Sequence, residues 1–333
     1  IGTITLSDNT LKLSGAASVI NSALDGIAYK GTLELTDNGA DKLSSTLINQ
    51  LIAKTDPTKV VVKNNPTIKG TASTVKTAIE GVTNTGNAKI ELDDAHLLSE
   101  LKAINENTDG SINLKDKGVK LVGLTSVVKA ALDGITDYTG VIDITDDASP
   151  ILATDLKTIT DSTPGVKPSI INKPTIKGKT ADVVTAISKI TNMGNAHIEL
   201  TDSHDAAQLK TINDETTGAI TLFSNTVALE DSAAVLDAAL DGIADYDANV
   251  TISNDGGTEI TASEITNVVN HIKTGNQIII KNDVDVKGSA AQIQSALEAT
   301  TNTGKPNAII SNPHSLGQLR AINNATTGSI LLA

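Results

Sequence analysis

The 333-residue chain carries a net charge of −13, no cysteine, and aromatic residues at only 1%. Zero cysteine excludes a disulfide framework, thiol catalysis and thiolate metal sites. Arg320 is the sole arginine, which argues against nucleic acid as a partner, because such surfaces use basic patches and arginine forks. With one Phe, three Tyr and no Trp, the core must be Ile, Leu, Val and Ala. Small aliphatics suit thin, regular layers, whereas compact enzymes bury many aromatics. No apolar run approaches the ~20 residues of a membrane span, so none is expected.

The first strand is expected at Ile4/Leu6, where apolar and polar residues alternate. A helical stripe follows at Ala16, Val19, Ile20, Ala23, Leu24 and Ile27. Leu33/Leu35 reads as the next strand, and Leu43, Leu47, Ile48, Leu51 and Ile52 as the next helix. Val75, Ala78, Ile79 and Val82 mark a third stripe, and Leu97, Leu98, Leu101 and Ile104 a fourth. Ile90/Leu92 lies between those two, and Ile112/Leu114 follows them. The strand pattern returns at Ile142/Ile144, Ile198/Leu200, Ile220/Leu222 and Val250/Ile252. Gly26, Gly81, Gly134 and Gly242 sit where left-handed helix ends are expected. Turns at Ser7-Asp8-Asn9, Asn64-Asn65-Pro66, Lys117-Gly118 and Asn172-Lys173-Pro174 split strand pieces. They imply either a second short β-layer or a corner.

The pattern is periodic. Leu24-Asp25-Gly26-Ile27 recurs at Leu132 and again at Leu240, each 108 residues on, and Gly2, Gly110 and Gly218 keep the same step. Asn65-Pro66-Thr67-Ile68-Lys69-Gly70 returns as Lys173 to Gly178 and more loosely as Asp283 to Gly288. Long repeats are therefore expected at 1–109, 110–217 and 218–327, with 328–333 as the first strand of a further one. Each divides into halves of about 54 residues and strand–helix units of about 27. Short strand–helix alternation means parallel strands with helical returns. The fold class expected is α/β. A closed barrel, a doubly wound sheet and an open solenoid are the possible arrangements, and near-identical repeats favour the solenoid. With no atypical end unit, the expectation is a segment of a longer array.

The most repeated polar feature lies where a strand hands over to a helix. It reads Thr36-Asp37-Asn38, Asp93-Asp94, Thr145-Asp146-Asp147, Thr201-Asp202-Ser203, Ser253-Asn254-Asp255 and Ser311-Asn312. Side chains of this kind cap helix N-termini, where their oxygens accept from free N–H groups. The competing reading is calcium, with Asp37, Asp93, Asp94, Asp146, Asp147, Asp202 and Asp255 as oxygen donors. Neither an EF-hand loop nor the Gly-Gly-x-Gly-x-Asp nonapeptide is present. Calcium is thus the one cofactor left open, and no other is expected.

The histidines are His96, His197, His204, His271 and His314. None forms an i, i+4 pair, and their positions read as differing between repeats, which argues against a shared metal site. Tyr29, Tyr138 and Tyr246 all closely follow the Leu-Asp-Gly-Ile motif. Either each packs over the turn after a helix, or they form an exposed ladder for lateral contact or glycan stacking. No nucleophile elbow, P-loop or dinucleotide fingerprint occurs. An enzyme is not expected.

The run Ala206-Ala207-Gln208-Leu209-Lys210-Thr211-Ile212-Asn213-Asp214-Glu215-Thr216-Thr217-Gly218-Ala219-Ile220-Thr221-Leu222, echoed over Leu319 to Leu332, resembles repeats of giant secreted cyanobacterial surface proteins of the haemolysin-type, calcium-binding-like group. That resemblance implies an extracellular or cell-surface location and roles in outer layers, adhesion or surface motility. The function expected is a structural repeat segment giving length, stiffness and multivalent contact. The alternatives are an adhesin binding glycan or protein on a repeated face, or a self-assembling filament or surface-layer subunit. The partners expected are other copies or neighbouring repeats, and a glycan or cell-surface molecule.

Overall fold

The computed structural model describes residues 6–39, 42–147 and 149–332. Among them are twelve α-helices and short parallel strands, so the chain is α/β, and no sheet closes into a barrel. The predicted first strand lies mostly outside the described residues; Leu6, just inside them, is exposed. The chain forms two compact units, one of Ile1–Asp146, Asp155–Ile171 and Ile190–Asn192, the other of Asp147–Thr154, Asn172–Lys189 and Met193–Ala333.

In the first unit, strands Leu13–Gly15, Leu33–Leu35 and Val60–Val62 form one ladder, joined at Leu13↔Leu33 and Leu33↔Val60. A second ladder runs Lys42–Ser44, Thr67–Gly70, Lys89–Leu92 and Ile112–Asn113. A third joins Leu121–Gly123, Ile142–Ile144 and Ser169–Ile170. The second unit also holds three ladders. They run through Ile151–Leu152, Thr175–Gly178, His197–Leu200 and Ile220–Thr221; through Leu229–Asp231, Val250–Ile252, Ile278–Ile280 and Thr301–Asn302; and through Glu259–Thr261, Asp285–Gly288, Asn307–Ile310 and Ile330–Leu332.

The turns Asn64-Asn65-Pro66, Lys117-Gly118 and Asn172-Lys173-Pro174 carry the chain from one ladder into another. Val60–Val62 belongs to one, Thr67–Gly70 to the next, and Asn64 and Asn65 between them take left-handed φ values of 62° and 46°. The second β-layer left open by the sequence is thus the arrangement present. The even 27-residue unit is not. Paired residues lie from 20 positions apart, as at Leu13↔Leu33, to 28, as at Val250↔Ile278. The longer steps, of 25 to 28, are those that span helices Ser45–Lys54, Ala153–Ser162 and Ala262–His271.

Inward positions of the ladders are aliphatic and sealed: Leu33, Leu35, Val60, Ile68 and Ile90 are at most 1% exposed. Helices pack against the next in line, Ser45–Lys54 on Ala72–Glu80 and Ala206–Glu215 on Ala233–Leu240. On the outer faces lysines pair with acids across strands, Lys69 with Glu91 at 3.0 Å and Lys177 with Glu199 at 2.6 Å. Such exposed pairs stabilise by at most about 1 kcal/mol each.

A Thr-x-Gly turn closes each long repeat. Thr108, Thr216 and Thr326 donate their hydroxyls to the carbonyls of Ala88, Ala196 and Pro306, at 2.8, 2.6 and 2.5 Å. Each hydroxyl also accepts from the glycine two residues on, at 3.0 Å. A Cβ at Gly110 or Gly218 would lie about 2 Å from the carbonyl oxygen of Ala88 or Ala196, so only glycine fits. Gly26, Gly134 and Gly242 take φ near 70°, as helix-ending glycines do. Gly81 does not: its φ is −89°, because helix Ala72–Glu80 ends in a right-handed residue. Leu43, expected in a helix, lies in strand Lys42–Ser44, since its side chain completes the inward row beside Ile68.

Candidate functional site

Two polar arrangements recur through the chain. The first is built on the acidic turns. Each follows a strand by two residues, and that strand pairs with the one leading into an earlier helix. The parallel pairing sets the turn over that helix's first N–H. Asp37 therefore accepts from Ala17 N at 3.0 Å, Asp94 from Ala72 N at 2.8 Å, and Asp146 from Thr125 N at 2.6 Å. Asp202 takes Thr180 N at 2.7 Å, Asn254 takes Ala233 N at 2.9 Å, and Asn312 takes Ala290 N at 2.9 Å. The expected cap is present, but on the helix one strand back rather than on the one that follows. The bond from Thr180 N is the main cause holding the Asp202 carboxyl below its usual range.

Three of the intervening helices are capped locally. Asp205/Gln208, Thr261/Glu264 and Ser315/Gln318 form reciprocal capping boxes. Near the corresponding helix of the first repeat, Leu97 N donates to Glu100 at 2.9 Å.

Of the remaining calcium candidates, Asp93 pairs with Lys69 at 3.1 Å, and Asp147 and Asp255 are exposed. Among the described residues, no group of three or more His, Asp or Glu side chains is arranged to hold a metal ion. The carboxylates at 37, 94, 146 and 202 instead spend an oxygen on a backbone N–H.

The second arrangement centres on the tyrosines. Tyr29 is 4% exposed, and Tyr138 and Tyr246 are fully buried. This corrects the exposed-ladder reading: no ring face is free for lateral contact or glycan stacking. Each hydroxyl reaches back to a carbonyl just before a strand, Tyr29 to Leu11, Tyr138 to Val119 at 2.5 Å and Tyr246 to Val227 at 2.6 Å.

A histidine meets two of these hydroxyls. His96 Nε2 lies 3.1 Å from Tyr138 Oη, and His204 Nε2 lies 2.9 Å from Tyr246 Oη, with the rings edge-to-face. Because each tyrosine proton goes to a carbonyl, the imidazole must be the donor. That fixes the neutral tautomer with its proton on Nε2. Nδ1 is then a bare acceptor, and in both residues it is buried without a partner. Burial pushes both imidazoles below the usual histidine range, against the opposing pull of Asp94, Glu100 and Asp116 on His96 and of Asp202 and Asp205 on His204. Burial likewise lifts the Tyr138 and Tyr246 phenols far above their ordinary range.

His96, His204 and His314 occupy one repeat position, at steps of 108 and 110. The expectation that histidine positions differ between repeats holds for His197 and His271 and is wrong for these three. The signal was present in the aligned turns Asp94-Ala95-His96, Asp202-Ser203-His204 and Asn312-Pro313-His314. What the turns did not show was the tyrosine 42 residues further on.

An asparagine completes the junction. Asn105 donates to the carbonyls of Ala131 and Asp133 at 3.1 and 2.7 Å, and Asn213 to those of Ala238 and Ala239 at 3.2 and 2.8 Å. One repeat's last helix thus satisfies the carbonyl end of the next repeat's first helix, which would otherwise lack donors.

No protein-family model matches this chain, and no match was found among curated proteins.

Proposed function

We propose that this chain is a structural array: an open α/β solenoid of stacked 108-residue repeats, used at the cell surface for length, stiffness and multivalent contact. The observation that supports it is the junction built twice from the same parts. His96, Tyr138 and Asn105 recur as His204, Tyr246 and Asn213, joining one repeat to the next by the same His–Tyr contact and by an Asn bond to the equivalent carbonyls of Ala131 and Ala239. Where each repeat touches only its neighbours, stability is a sum of repeat and interface terms, and length follows copy number. The surface location rests on the resemblance of the 206–222 run to secreted surface repeats. The array folds without metal, since its acidic turns cap helices.

An adhesive role is the second reading, favoured by polar grooves at equivalent places. One, of about 290 Å³, is lined by Asn84, Thr85, Asn107 and Thr108; another, of about 630 Å³, by Asn302, Ala325, Thr326 and Thr327. Repeated weak glycan contacts there would gain avidity from their spacing.

Small-angle scattering with calcium, and again with chelator, tests the main reading. The array gives one elongated profile in both buffers. A compact particle contradicts the solenoid, and collapse in chelator alone assigns the acidic turns to calcium.

A further inference from the structure

Two further grooves share one build. The first, of about 480 Å³, opens where helices Leu98–Glu106 and Thr125–Leu132 both end. The second, of about 270 Å³, opens where helices Ala206–Glu215 and Ala233–Leu240 both end. Each lies wholly within one compact unit, and neither involves the first or the last helix. The same nine positions line both, 108 residues apart, and seven of them carry the same residue.

The chemistry of the lining is one-sided. Among the described residues, no Lys, Arg or His lines either groove. Asn105 and Asn213 spend their Nδ2 groups on helix-end carbonyls, which leaves each Oδ1 as an acceptor. Asp133 and Asp241 add a carboxylate, and the two helix ends add partial negative charge. Each groove therefore offers mainly acceptors, in a negative field, with no cation of its own.

The two aspartates work against their own helices. Each is the residue on which its helix ends, where the dipole disfavours an acid. Each is exposed, and its carboxylate has no hydrogen-bond or ion-pair partner among the described residues. Asp25, just past helix Ala17–Ala23, is the same exposed acid in the first repeat. Other exposed positions of the groove do change, Asp109 to Thr217 and Ser111 to Ala219. An acid kept three times where it weakens a helix and binds nothing in the chain points to a ligand from outside it.

We infer that each groove binds a primary ammonium group carried on a sugar ring. Asp133 or Asp241 pairs with the cation, and Oδ1 of Asn105 or Asn213 accepts a second N–H. The inference rests on the adhesive reading and names its ligand, an amino-sugar glycan. A calcium ion would need about 6–8 oxygens, whereas the second groove holds a single carboxylate. An ammonium has only three donors to satisfy. The grooves fall in or just below the lower half of the roughly 300–1,000 Å³ range of small-molecule sites, which suits one ring. A lysine side chain would leave much of that space empty.

Isothermal titration calorimetry on the intact chain at neutral pH tests this with a glucosamine trimer, its fully N-acetylated counterpart and a trilysine peptide. The glucosamine trimer occupies two sites per chain, more weakly as salt is added, and the acetylated trimer occupies neither. Asp133→Asn and Asp241→Asn each remove one site, with a loss of at least about tenfold in affinity there, and the double variant removes both. The urea midpoint does not fall in any of the three, because the lost charge opposed the helix dipole. A double variant that binds the glucosamine trimer like wild type overturns the inference. So does a lowered midpoint, which would make the aspartates structural, and so does tighter binding of trilysine, which would assign the grooves to a peptide. If the acetylated trimer binds wild type and double variant equally, the adhesive reading stands while this inference fails; if neither sugar binds, both fail.

Discussion

At the scale of residues, Tyr138 and Tyr246 each carry two hydrogen bonds in a sealed setting. Removing one hydroxyl strands a buried histidine N–H and a carbonyl. Tyr138→Phe is therefore expected to cost about 1–3 kcal/mol, read as a lower urea midpoint; an unchanged midpoint would show that the junction contributes nothing. His96 and His204 set a pH dependence. Their folded values lie below the 6.5 of a free imidazole, so the unfolded chain binds more protons as pH falls. Stability is complete above that value and declines as pH drops through it. Protonation would also place a second N–H on Nδ1, where nothing accepts it. Urea midpoints measured on either side of pH 6.5 fall for wild type and flatten for a His96→Gln, His204→Gln double variant. A variant that loses as much as wild type would place the sensitivity elsewhere.

At the scale of elements, the acidic turn is the working part. Asp146 accepts from both the backbone N–H and the hydroxyl of Thr125, at 2.6 and 2.8 Å. Asp146→Ala is expected to cost about 0.5–2 kcal/mol and to raise amide exchange at the start of helix Thr125–Leu132. Asp146→Asn costs less, since Asn254 and Asn312 do the same work in the third repeat. Equal losses for both substitutions would mean that charge, not the cap, matters. The helices and strands themselves were legible in the sequence. Leu33/Leu35, Ile142/Ile144 and Val250/Ile252 are strands with those residues inward, as alternation required. The target of the caps was not legible, because it depends on which strand pairs with which, and local sequence encodes no register between strands twenty residues apart. The tyrosines were misplaced in part for the same reason. A single aromatic per repeat has no periodicity to show which way it faces, so its burial emerges only from Val119 and His96 closing around Tyr138.

At the scale of the whole molecule, the 108-residue period visible in Leu24, Leu132 and Leu240 is also the period of the ladders, whose leading strands begin at Leu13, Leu121 and Leu229. The evenness of the smaller unit was not preserved, because two ladders share each repeat and take strands at different intervals. The central claim is that repeats add by stacking through equivalent junctions. Inserting a second copy of residues 110–217 after position 217 supplies one more junction with the same His, Tyr and Asn. Small-angle scattering on this four-repeat protein beside the three-repeat parent is the most direct measurement. The stacked array predicts a maximum dimension longer by one repeat's increment, with the cross-sectional radius unchanged. A particle that grows in cross-section while its maximum dimension stays the same would contradict it.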